Sequence, residues 1–331
     1  HPVFACDLCT VYLGIQPNDF QNSFSLRYRH SLFRSDYINQ SAFTTRIGNQ
    51  RMKGKTNTKH GGKANGSIAD GERFTYTESY NSYDVLLNFY LGQKWQLNTS
   101  MTFSDNYIKQ NDSIVDNVGG IGDLKVVVKH TLHNSVANGD SAANKFTHRV
   151  NLGAGVTLPT GTFNKYSIVG FTTEFKPNTI VGTPEMELDP HLQAGTGSFA
   201  FLGLIEYLIK WKHIGLNSNA SYQVYTTNKN NFRLANRLNI TSSLFSVITW
   251  KDQLKWMPNL GIAYEKSDYD QIDGKDFIDS GGEAAFVTPG MNLYFKKLGL
   301  TFNYYLPVVQ KLYGIQPLNN RRIIAQLSYY F

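Results

Sequence analysis

The residues able to do chemistry in this chain fall into three groups. His1, Cys6 and Cys9 place a free α-amine, an imidazole and two thiols within nine residues. Thiolate and imidazole together suit copper(I) or zinc, and an amino-terminal His chelates copper through both of its nitrogens. The alternative is a Cys6–Cys9 disulfide formed in an oxidising compartment, which removes the sulfur ligands. With no third Cys in the chain, a four-Cys zinc site is excluded. The second group is His133 and Ser135, two apart. A nucleophilic serine needs its base within hydrogen-bond reach and a further group to orient that base. The third group is charge: Arg27, Arg29, Lys125, Lys129, Arg149, Arg233, Arg237 and Arg322, opposed by Asp84, Asp123, Glu206, Glu265 and Glu283.

What these charges can do depends on the elements that carry them. Hydrophobic residues make up 41% of the 331, charged residues 17% and aromatics 14%, and the mean hydropathy is −0.33. Many aromatics and few charges demand a large apolar surface. Yet no stretch approaches 18 uninterrupted apolar residues, and the greasiest, Ser198 to Trp211, is broken by Glu206. A transmembrane helix is therefore excluded. A soluble β-sandwich or a closed transmembrane β-barrel remains, the latter spreading its apolar residues to every second position.

Period-2 alternation recurs along the chain. Trp95, Leu97, Thr99, Met101 and Phe103 alternate with Gln96, Asn98, Ser100, Thr102 and Ser104, and the pattern returns at 214–225 and 298–306. It predicts an all-β fold, a transmembrane antiparallel β-barrel of about twelve strands: 21–34, 72–91, 94–108, 121–134, 146–159, 192–211, 213–226, 231–250, 254–267, 281–295, 298–309 and 320–331. An even count suits a single-chain bacterial barrel and puts both ends of the barrel on one side. Connections at 92–94, 212–213, 251–253 and 296–297 are tight, whereas 35–71 and 160–191 are long. This places the tight turns in the periplasm and the long loops outside. The connection 135–145 is long for a periplasmic turn. Trp95, Trp211, Trp250 and Trp256 cluster near the tight turns, as an interfacial girdle would. Residues 1–20 read as a periplasmic or luminal extension and 21–331 as the barrel. The chain opens at His1 with no charged n-region and apolar h-region, the expectation for an exported chain whose signal peptide has been removed.

On this reading the eight basic groups and their acids point into the lumen. Charges facing a narrow, low-dielectric channel set its selectivity, so an excess of bases favours anions. The alternative is a ladder of Arg–carboxylate pairs filling a modest interior. Arg27 and Arg29, two apart, and Arg233 and Arg237, four apart, are expected to share faces. Seven Lys/Arg against Asp36 between Arg34 and Lys63 supply about +6 of the net +7. That patch is Gly/Asn/Thr-rich, lacks aromatic interleaving and lies outside the cell, so no nucleic acid is expected; contact with lipopolysaccharide phosphates or plain solvation is one reading, and a docking surface for an acidic partner or ligand the other. His130 is expected to face lipid, and His148 to start a strand. His133 and Ser135 fall at the periplasmic end of a strand, far from the outer leaflet where lipid would be cleaved, so no enzyme is expected. Gly119-Gly120-Ile121-Gly122-Asp123 leads into a strand instead of a helix and reads as a turn, not a nucleotide fingerprint.

The terminal segment, with Phe331, Tyr329, Leu327, Ala325 and Ile323 on one face, resembles the last strand of bacterial outer-membrane proteins. The resemblance implies that Phe331 and Tyr329 form the signal read by the barrel-assembly machinery. His133 and Ser135 are similar to the paired His and Ser of outer-membrane phospholipases, also twelve-stranded. Gly119-Gly120-Ile121-Gly122-Asp123-Leu124, then Leu152 to Gly161 (LGAGVTLPTG) and Gly195-Thr196-Gly197-Ser198, resemble transporter-type outer-membrane barrels grouped with aromatic-degradation and fatty-acid channels. The opening Cys6-Asp7-Leu8-Cys9, with Tyr12 to Ile15 and Leu26 to Arg29, is similar to Bacteroidota outer-membrane proteins, whose N-terminal cysteines the resemblance links to copper-handling neighbours. The leading expectation is an outer-membrane barrel that passes or binds a small, anionic solute, its lumen partly closed by residues 1–20 and the long loops. The alternatives are a non-transporting accessory or structural subunit, docking other proteins of an outer-membrane complex through 35–71 and 160–191, and copper capture by the tail.

Overall fold

The computed structural model describes residues 21–38, 73–135, 146–164, 166–168, 185–187, 189–250 and 254–331. His1, Cys6 and Cys9, with the metal and disulfide readings they carry, lie outside them, as do most of the 35–71 and 160–191 loops and the connection 136–145. The described chain is a closed barrel of twelve antiparallel strands, two of them interrupted. They are β1 (Ser23–Ile38), β2 (Arg73–Leu91), β3 (Trp95–Gln110), β4 (Ser113–Ile121 and Leu124–Asn134), β5 (Thr147–Leu158) and β6 (Ala200–Trp211). The circuit continues with β7 (Ile214–Tyr225), β8 (Arg237–Ser246 and Ile248–Trp250), β9 (Leu254–Ser267), β10 (Gly282–Phe295), β11 (Leu298–Leu312) and β12 (Leu318–Tyr330). Each strand pairs with its sequence neighbours, and β1 closes on β12 from Ser23↔Tyr330 to Arg34↔Leu318. Closure follows from the solvent, because an unpaired strand edge in hydrocarbon leaves peptide groups with no partner.

The alternation read in the sequence sorts side chains between lipid and lumen. On β1, Phe24 (39% exposed) and Leu26 (49%) face out, while Ser25 (0%) and Arg27 (3%) face in. Trp95, Trp211, Trp250 and Trp256 are all exposed on the outer face at the end bearing the tight turns. Trp95 stacks obliquely on His130, with ring centroids 4.3 Å apart, which puts that histidine outside as expected. Leu327, Tyr329 and Phe331 face out at the same end, and Ile324 faces in. Lys212 and Lys296 hold φ of 52° and 53° in their tight turns, the left-handed conformation that matches hairpin twist to strand twist.

Several boundaries differ from the sequence reading. β4 begins at Ser113, not near 121, and β3 reaches it through a turn at Asn111-Asp112. Gly119 and Gly120 therefore lie inside a strand; the break falls at Gly122-Asp123. Its polar Asn117 and two glycines hid the alternation. Residues 192–199 are not strand: the chain from Asp189 to Phe199 turns into the lumen before β6 starts at Ala200. Arg233 does not share a strand with Arg237. It belongs to the short strand Phe232–Arg233, which pairs with Gln271–Ile272, itself paired with Lys275–Asp276. The cause is a bend at 234–236, where the Ala235 N–H donates to Asp270 instead of continuing the ladder (2.7 Å). Glu283 faces outward beside the exposed Lys311, because the buried Ala284 takes the inward position.

The inner face is layered. Toward the tight-turn end, Leu208, Phe245, Met257, Tyr294 and Tyr330 form an apolar cluster, and toward the loop end Phe33, Phe74, Tyr76, Tyr80, Ile108 and Val118 form another. The second cluster takes in Leu192, which is 1% exposed and comes from the inward segment rather than from the wall.

Candidate functional site: a segment inside the lumen

Segment Asp189–Phe199 is held in the lumen at both ends. At one end, Asp123, in the break of β4, accepts the Gly161 N–H at Oδ1 (2.9 Å). Its Oδ2 accepts the Thr196 N–H (2.8 Å) and hydroxyl (2.6 Å). Only glycines allow so close an approach. A Cβ on Gly161 would meet the Gly122 carbonyl carbon at 2.6 Å, and one on Gly195 would meet that of Gly161 at 2.8 Å. The three glycine-rich motifs of the sequence, 119–124, 152–161 and 195–198, thus converge on one carboxylate. Further along, Asn106 donates to the Leu192 carbonyl (2.9 Å) and Asn228 to that of Thr196 (3.1 Å).

At the other end is His191. Its Nε2 donates to Asp270 Oδ2 (2.7 Å) and its Nδ1 to Asp189 Oδ1 (3.0 Å), and its ring meets Phe232 edge-on at 5.6 Å. Two carboxylate acceptors require both ring nitrogens to carry protons, so the ring is an imidazolium. Both His191 and Asp270 lie in connecting segments. Burial pushes the imidazole down, but Asp270 and Asp189 outweigh it and hold the pKa at about 10. Burial likewise raises Asp270, and His191 with Arg237 brings it below its ordinary value. The His191 contribution to docking is complete below its ordinary 6.5 and is lost as pH climbs through about 10. That of Asp270 is complete above its ordinary 3.8 and is lost as pH falls through the depressed value.

The expected luminal charges are mostly in ion pairs. Arg27 Nε and Arg29 Nε both reach Asp84 Oδ2 at 2.8 Å, Arg29 Nη2 adds a bond to Oδ1 at 3.0 Å, and the Thr102 hydroxyl donates to the same carboxylate. Lys129 pairs with Glu206 (3.0 Å), which also accepts from Asn151; Arg322 pairs with Glu265 (2.8 Å) and lies 4.6 Å over the Phe286 ring. Lys125 is buried on the inner wall, while Arg149, half-buried, sits opposite Leu208. This is the ladder arrangement over most of the wall. Against the inward segment lies a cavity of about 60 Å³ whose described lining includes Arg29, His191, Arg237 and Gln193 and no carboxylate, although Arg29 is itself paired with Asp84 and His191 with Asp189 and Asp270. Arg233 is not part of that lining.

His133 and Ser135 are not brought together as a nucleophile and base. His133 is exposed, and the Ser135 hydroxyl is engaged with the backbone of His148 on both its N–H and its carbonyl. His148 Nδ1 meets the Tyr207 hydroxyl at 2.7 Å on the outer face.

A closed ring of strands, greasy outside and polar within, decides the class. The chain is an outer-membrane β-barrel. No protein-family model matches it, and no curated protein does. Its fold is similar to that of an outer membrane channel from Pseudomonas putida F1, at 15% identity and a TM-score of 0.59, covering 96% of this chain and 100% of that one. More distant are the β domain of the Bordetella autotransporter BrkA (8% identity, TM-score 0.44, covering 95% and 100%) and LpxR from Salmonella typhimurium (8%, 0.38, covering 93% and 100%). The sequence reading missed His191, Asp189, Asp270 and Gln193. The one signal present was the non-alternating run Asp189-Pro190-His191 ahead of Gly195, read there as loop and strand.

Proposed function

We propose that this barrel is a channel for small solutes, that anions are favoured, and that segment Asp189–Phe199 is its constriction. The observation that carries the proposal is the cavity beside that segment, where two guanidinium groups and an imidazolium come together with no acid among the described lining residues. In a low-dielectric wall such a ring attracts anions and repels cations. The Lys129–Glu206 and Arg322–Glu265 pairs fill and stiffen the interior, whereas here the cationic groups line the cavity and their partners Asp84, Asp189 and Asp270 do not, which leaves this zone to set selectivity. The Pseudomonas putida outer membrane channel agrees in fold; the channel reading here rests on the lumen itself. Planar-bilayer recording under a salt gradient tests it. Discrete current steps should reverse on the anion side of zero, and Arg237→Gln should move the reversal potential toward zero. Absence of current from correctly inserted protein, or a cation-side reversal, contradicts it.

A further inference from the structure

Resting on that channel reading and going beyond it, we infer that the cavity between β1, β8 and the inward segment is a discrete binding site for one small monocarboxylate. Three arguments converge on that class. The volume of about 60 Å³ suits a small occupant. The lining is divided. Arg29, His191 and Arg237 present positive charge, while Phe163, Phe232 and Leu234 present apolar surface. A carboxylate with a short hydrocarbon tail uses both halves, whereas phosphate leaves the apolar half in contact with oxygen. Each imidazolium or guanidinium that pairs with Asp84, Asp189 or Asp270 is already partly neutralised from behind, so one added negative charge is better matched than two.

Gln193 supplies an independent sign of an occupant. It is 7% exposed and lines the cavity, and its Oε1 accepts the Asn164 N–H (3.1 Å). Its Nε2, buried, meets no acceptor among the described residues. A buried amide donor is normally satisfied, by protein, water or ligand. A carboxylate oxygen held by Arg29 and Arg237 supplies the missing acceptor, and two oxygens allow both cationic sides to be engaged at once.

Equilibrium dialysis of the detergent-solubilised protein near pH 8, with labelled propionate as probe and propionamide and inorganic phosphate as competitors, tests the assignment. The expected result is saturable binding of one propionate per chain, no competition by the neutral isostere propionamide, and at least tenfold weaker competition by largely dianionic phosphate. Arg237→Gln should weaken propionate binding about tenfold or more, as expected for loss of a charged hydrogen-bond donor. Gln193→Leu, which leaves every ion pair intact, should weaken it severalfold. Both variants are first checked for folded-barrel migration on unheated gels. Phosphate binding as tightly as propionate, propionamide competing equally, or folded Arg237→Gln binding propionate like the native chain would overturn the proposal. Loss of propionate binding with anion-selective current intact removes the site and leaves the channel. Retained binding without current supports the site and removes the channel.

Discussion

Asp270→Asn is expected to raise single-channel conductance severalfold while leaving the barrel folded. Asp270 accepts from His191 at 2.7 Å and from the Ala235 N–H at 2.7 Å, and its own N–H donates to Ser280 (2.9 Å). It therefore ties the inward segment to both the 228–236 bend and the β9–β10 loop. The amide keeps the size of the side chain and removes its charge, which leaves a buried imidazolium with Asp189 as its remaining partner. Breaking one side of a buried ion pair costs about 3–5 kcal/mol. At about 1.4 kcal/mol per factor of ten, that shifts the docked-to-undocked ratio of the segment by a hundredfold or more. None of the lost bonds belongs to the strand ladder, so the barrel itself should persist. The same latch makes native conductance pH-dependent: it should rise as the pH passes through about 10 and His191 loses its proton. In Asp270→Asn the rise should be largely gone. Equal conductance in the two proteins on both sides of that pH would show that the segment does not narrow the path.

Asp84→Ala has the larger effect on the barrel itself. Asp84 is 1% exposed and is the carboxylate for both Arg27 and Arg29, with Thr102 as a further donor. Removing it leaves two guanidinium groups side by side within the wall, at an expected cost of about 3–5 kcal/mol. That is a large fraction of the stability of a typical domain. Refolded yield in detergent and the denaturant midpoint should both fall sharply. Glu283→Ala is the control, because its partner Lys311 is 74% exposed and the pair, 3.6 Å apart, sits on the outer face. It should refold like the native protein. A denaturant midpoint for Asp84→Ala equal to that of Glu283→Ala would mean that the Arg27–Asp84–Arg29 group contributes nothing to the wall.

How much of this was legible in the sequence follows from which interactions are local. β3, β7, β11 and β12 could be read because one face meets lipid and the other water, and a period of two writes that difference directly into the order of residues. The outer half of β4 could not, because beyond Ile121 its outward positions include Asn117 and Gly119, which carry no apolar signal. Arg233 was misplaced for the opposite reason. Alternation runs on through 231–234, up to the bend where the backbone leaves the wall to meet Asp270. The pairing of His191 with Asp270 spans 79 residues and joins two irregular segments, where no periodicity exists to be read. Asp123, Gly161 and Thr196 lie between these extremes. Their motifs stand out in the chain, and the contact that explains them is visible only in three dimensions.

Segment Asp189–Phe199 lies docked inside the lumen, and amide hydrogen exchange in lipid nanodiscs reads that docking residue by residue. Gly195 donates to the Thr162 carbonyl (2.9 Å) and Thr196 to Asp123 (2.8 Å). These amides should exchange orders of magnitude more slowly than those of an open loop, and Asp270→Asn should speed the His191 end first. Exchange of Gly195 and Thr196 at the rate of an unstructured peptide would contradict the account.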